Sequence, residues 1–99
     1  MKEISIYRQA GSFAENKDVA RNIRIKEIIP GLEKKHEIIL DFSGVNAATQ
    51  SFIHALISDI LRKFGTDVLD QIAFKNCNET IQKIVGIVVD YMQESLSSS

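Results

Sequence analysis

Ninety-nine residues, 44% apolar and 25% charged, bound the chain to one globular domain with a single core, and five Gly with one Pro argue against disorder or repeats. Twelve basic and 13 acidic residues leave a net charge of −1, so no global field recruits nucleic acid or an anionic membrane. The single Cys77 excludes an internal disulfide and a cysteine-based zinc site, and no apolar run approaches the ~20 residues of a membrane span, which together point to a cytoplasmic protein.

Alternation in Glu3-Ile4-Ser5-Ile6-Tyr7 puts Ile4 and Ile6 on one face and predicts a first strand, ended by Gly11. Ser12 and Glu15 have the spacing of a capping box, which predicts a helix running towards Ile29 and stopped by Pro30-Gly31. On that helix Val19, Ala20 and Ile23 fall on one side, while Ile25, Ile28 and Ile29 fall round towards the other. Either the helix breaks near Arg24 or it offers a second contact surface. Glu33-Lys34-Lys35-His36-Glu37 mixes both signs and reads as a solvated turn.

Ile38-Ile39-Leu40-Asp41-Phe42 then fits a strand buried on both faces, the inner strand of an α/β sheet. The stretch after it, Ser43 to Ser51, holds only small or hydrogen-bonding residues apart from Val45, with no Lys, Arg, Cys or His, at the position where α/β proteins keep their function. Such a composition favours recognition or modification over chemistry. Thr49 and Ser51 are both good helix N-caps. Phe52, Ile53, Leu56, Ile57, Ile60, Leu61 and Phe64 cover a helical arc that lies on the sheet, and Gly65 stands where helices end on glycine. Thr66 to Asp70 reads as a loop, and Ile72 and Phe74 alternate in a third strand from Gln71 to Lys75. Asn76 or Asn78 caps the last helix. That helix is rich in β-branched residues, but Glu79, Lys83, Gly86, Asp90 and Glu94 draw a non-apolar stripe at helical spacing. Gly86 costs about 1 kcal/mol there relative to Ala, which predicts close approach to a neighbour. Residues 1–94 form the domain, and 95–99 a disordered tail.

Leu40-Asp41-Phe42-Ser43-Gly44-Val45, followed by Thr49-Gln50-Ser51-Phe52, resembles the central motif of the STAS-like family, related to the anti-sigma factor antagonists. The typical antagonist motif reads Asp-Leu-Ser-x-Val, three further residues, then Asp-Ser-Ser-Gly, with phosphorylation on the first Ser of the pair. Aligned on Ser43 and Val45, that serine falls on Gln50, so the phosphorylation position is not preserved. Ser51-Phe52 in place of Ser-Gly resembles the STAS-like branch instead. The resemblance, extended from about Gly11 to the end of the last helix, implies an α/β fold of βαβαβα order with a small parallel or mixed sheet of three to four strands. Typical members carry one more strand before the first helix, which the sequence does not reveal.

Nothing in the chain completes a catalytic set. His54 follows Ser51 by three residues on a helix, yet no third group or Gly-rich oxyanion loop accompanies the pair, and His54 reads as a half-exposed helix residue. Asp41 lacks the companion acids and the Lys of phosphoacceptor sites, and reads as part of the strand-to-loop turn. His36 and His54 stand apart, so no metal and no cofactor is expected. The expectation is a non-enzymatic regulatory module that docks on a protein partner through Ser43, Gly44, Asn46, Thr49, Gln50, Ser51 and His54. Ser51 and Thr49 are its candidate phosphoacceptors, since phosphate at a helix start lies in the positive end of the dipole. The resemblance implies a histidine-kinase-like ATPase of the anti-sigma type as partner. A small anion- or nucleotide-binding protein using the same loop, or a structural dimeric subunit, are the alternatives. A three-strand sheet with open edges, together with the two-sided apolar pattern around Arg24, also predicts a homodimer.

Overall fold

A computed structural model describes residues 1–97. Three four-residue strands, β1 (Lys2–Ser5), β3 (Ile38–Asp41) and β5 (Ile72–Lys75), pair in parallel in the order β1-β3-β5. Register aligns Ile4 with Leu40 and Phe74, and Lys2 with Ile38 and Ile72. Ile4, Ile38, Leu40 and Ile72 on this face are buried, whereas Glu3, Ser5, Ile39, Asp41, Ala73 and Lys75 on the other are half-buried or exposed. The sheet therefore has one covered face, and the expectation that the central strand is buried on both is corrected. The cause is topological. Strands added in one direction through right-handed crossovers leave every connecting helix on the same side.

The N-terminal third departs most from the sequence reading. β1 stops at Ser5, whose side chain caps a short helix, α1 (Ile6–Ala10), by accepting from the Arg8 N–H. Ile6 is buried as expected, but from a helix. Ser12 does not start the next helix. Residues Phe13–Ala14 form a strand, β2, paired in parallel with β4 (Ala47–Ala48), and this supplies the extra strand before the first long helix. Asn16 caps α2 (Lys17–Ile23) by accepting from the Asp18 N–H at 2.8 Å.

A π-helical segment, Arg24–Ile28, joins α2 to α3 (Ile29–Glu33). Its extra residue per turn rotates the face, so that Ala20, Ile23, Ile28 and Leu32 all reach one core while Ile25 is left 46% exposed. The divided apolar pattern thus coincides with an irregularity near Arg24, which leaves Ile25 on the outside. Pro30 and Gly31 lie inside α3 and do not stop it. The stop comes at Lys35, which takes the left-handed conformation (φ 62°) while the His36 N–H bonds the Gly31 carbonyl.

The helix α4 (Gln50–Phe64) buries Phe52, Ile53, Leu56, Ile57, Ile60 and Leu61 and ends at Gly65 (φ 85°). The residues from Thr66 to Gln71 form a 3-10 helix, where Thr66 to Asp70 were expected as a loop and Gln71 as the start of the third strand. The last helix, α5 (Glu79–Ser97), exposes Glu79, Lys83, Gly86, Asp90 and Glu94 and buries Ile81, Val85, Val88 and Met92, as the stripe predicts. Gly86 itself is a correction, because a Cβ built there meets nothing within 4 Å. The helix includes Ser95 to Ser97, assigned above to a tail. The rest of that tail, 98–99, lies outside the described residues.

Candidate functional site

The loop from Phe42 to Thr49 is tied by hydrogen bonds to β2 and its approach and to the segment between β5 and α5. Asp41 Oδ1 accepts from the Ser43 N–H at 2.9 Å and from Asn76 Nδ2 at 2.9 Å, which ties the end of β3 to the end of β5. Its carboxyl is held below the ordinary range by the Asn76 hydrogen bond first and the Ser43 N–H second, with Lys75 adding a smaller pull. The Ser12 carbonyl accepts from the N–H groups of Asn46 and Ala47, and the Thr49 N–H bonds the Ala14 carbonyl. Asn78 decides the alternative left open between two asparagines. It caps α5 through the Ile81 N–H (2.9 Å), while its amide donates to the Asn46 carbonyl (2.7 Å).

On this frame Ser43, Gly44, Asn46, Gln50 and Ser51 are exposed, and Thr49 and His54 are half-buried. Thr49 alone is the N-cap of α4, accepting from the Phe52 N–H at 3.1 Å, so Ser51 sits in the first turn without a capping role. That corrects the view of both as caps. A shallow groove of ≈ 480 Å³ brings Gln50, Ser51 and His54 together with Lys17 of α2 and Tyr91 of α5. The His54 and Tyr91 rings stand 6.4 Å apart. Among the described residues no hydrogen bond joins Ser51 to His54, and no group of three or more His, Cys, Asp or Glu is placed to hold a metal. Cys77 is half-buried; burial pushes its thiol pKa up, and the Asp41 charge adds to this, so it stays protonated at neutral pH.

Two aromatic residues that the sequence reading left out flank the loop. Tyr7, 50% exposed, lies over Gly44, where a Cβ would come 2.9 Å from Tyr7 Cδ2. Phe13, also 50% exposed, is the register partner of Ala47 and so shares its outward face. Alternation alone puts Tyr7 in a strand and the capping pattern puts Phe13 in a helix, and neither placement brings them to the loop.

The strand, loop and capped helix fall inside one family match. The model of the STAS-like domain of unknown function (DUF4325) matches residues 23–82. The chain belongs to this STAS-like family. The matched region begins at the end of α2 and closes in the first turn of α5, so it takes in the whole of β3, the loop, α4 and β5 of the STAS-like domain. Neither the curated proteins nor the solved structures compared with it include a match.

Proposed function

We propose that this STAS-like domain is a non-enzymatic regulatory module that docks on a protein partner through the loop and helix start at residues 43–54, with Tyr7 and Phe13 as apolar anchors. The observation that carries this reading is the pairing of a rigid, small-residue loop with two half-exposed aromatic rings on its borders. Aromatic residues are enriched where proteins bind one another, and a surface already hydrogen-bonded within itself loses little entropy on docking. Gly44 gives the Tyr7 ring room to lie on the loop, and Ala47 keeps the side chain short beside Phe13. By resemblance the partner is a histidine-kinase-like ATPase of the anti-sigma type. Ser51, exposed in the first turn of α4, is the point where added phosphate would change the face by about −2 charges while the helix dipole favours it.

The test is titration calorimetry of the domain against such ATPases from its own host. Phe13→Asp should weaken binding at least tenfold, about 1.4 kcal/mol, with an unchanged circular dichroism spectrum. Ser51→Asp should also weaken it, and Ser51→Ala should not. Equal affinity for folded wild type and both acidic variants would remove the face from the interface.

A further inference from the structure

Among the described residues the sheet ends on a strand with an open side, since β5 has β3 on one flank and no strand on the other. The register with β3, and the bond from the Phe42 N–H to the Lys75 carbonyl at 2.9 Å, direct the N–H and C=O of Ala73 and Lys75 inward to β3. The N–H and C=O of Phe74 and the C=O of Ile72 therefore point outward, while the Ile72 N–H is taken by the Leu69 carbonyl. Beside this edge runs a groove of ≈ 500 Å³ lined by Leu69, Ile72, Phe74, Cys77, Val85 and Val89. The other edge is different. β1 carries Lys2 and Glu3, and Lys2 Nζ is fixed on the Glu27 carbonyl at 3.0 Å, a charged edge of the kind that resists pairing.

We infer that a second copy of the chain pairs with this edge, β5 antiparallel to β5, about a two-fold axis at Ala73. Keeping the covered faces of both sheets on one side requires residues of equal parity to oppose one another. Centred on Ala73, the register sets Ile72 against the partner's Phe74 and Phe74 against the partner's Ile72. Each outward Phe74 N–H then meets an outward Ile72 carbonyl, and each pair joins an aromatic to a β-branched side chain. Centring on Phe74 instead would set Ile72 against Asn76 and lose both apolar pairs. Charge follows the same symmetry. Asp70 precedes the strand and Lys75, whose Nζ also lies 3.7 Å from Glu3 Oε2 of its own chain, ends it, so antiparallel pairing brings Asp70 of one edge towards the Lys75 end of the other, twice over. At the axis only two exposed Ala73 methyls face each other, in a non-hydrogen-bonded pair whose Cα atoms approach to ~4.5 Å. The product is one six-stranded sheet with an isologous interface, and the two apolar grooves lie together on its helical side.

Light scattering should return twice the 11.1 kDa chain mass for the wild type. Ala73→Lys places two ammonium groups at the axis from an exposed position, and should give the single-chain mass with an unchanged circular dichroism spectrum. Independently, Ala73→Cys in a Cys77→Ser background should cross-link to a disulfide dimer under mild oxidation, whereas Asn22→Cys, exposed on α2, should not. A wild type that stays monomeric at several hundred micromolar, a dimer that survives Ala73→Lys, or no preferential cross-link at residue 73 would each overturn the inference.

Discussion

At the scale of single residues, the loop is positioned by a few side chains whose roles can be separated by substitution. Asp41 has a carboxyl pKa below its ordinary 3.8, chiefly because Asn76 and the Ser43 N–H bond the charged form. Its contribution to stability is therefore complete above that ordinary value and is lost as pH falls through the lower folded-state value. Asn76 has φ 59°, so Asn76→Gly removes the donor without forcing the backbone. An NMR titration of that variant should show the Asp41 pKa rising back towards 3.8. Gly44 has φ 88° and the Tyr7 ring against it. Gly44→Ala should cost about 1–2 kcal/mol from the backbone alone, more if Tyr7 must move, as read from chemical denaturation. Thr49 and Ser51 differ in the same measurement. Thr49→Ala should lose about 1 kcal/mol by removing the cap, and Ser51→Ala should lie within about 0.5 kcal/mol of wild type.

At the scale of elements, periodicity identified α4 and α5 because both are long enough for a 3.6-residue repeat to show through their composition. Val85, Val88 and Val89 favour strands, yet the exposed stripe from Glu79 to Glu94 outweighed them. Gly86 lies on that stripe in open space, so its cost to the helix is not offset by packing. Gly86→Ala should raise stability by about 1 kcal/mol, visible as a higher melting temperature. Short elements were not legible in this way. β2 and β4 are two residues each, and neither has a pattern until they pair with one another. The π segment is similar. Nothing local in Arg24 to Ile28 requires the wide turn, but the core needs Ile23 and Ile28 on one side, and the Arg24 guanidinium reaches the Ala55 carbonyl and Asp59 of α4 from within it.

For the whole molecule, one core joins the five strands and the helices of the described residues, so stability is shared and not divided between parts. Phe52, fully buried at the start of α4, sits where the loop meets that core. Phe52→Ala should cost ~3–5 kcal/mol and lower a single cooperative melting transition followed by circular dichroism. The amino-acid sequence by itself determined the alternating α/β order, the central strand and loop, both long helices and the STAS-like character, since each rests on local periodicity or on a contiguous motif. Only the tertiary structure decided that the sheet is covered on one face, that Thr49 and not Ser51 caps the helix, and that Tyr7 and Phe13 border the loop. These depend on residues far apart in the chain meeting at strand ends. Crossover handedness, register and the phase of a helix after a π turn are set by how the pieces close on one another, which no short window of sequence contains.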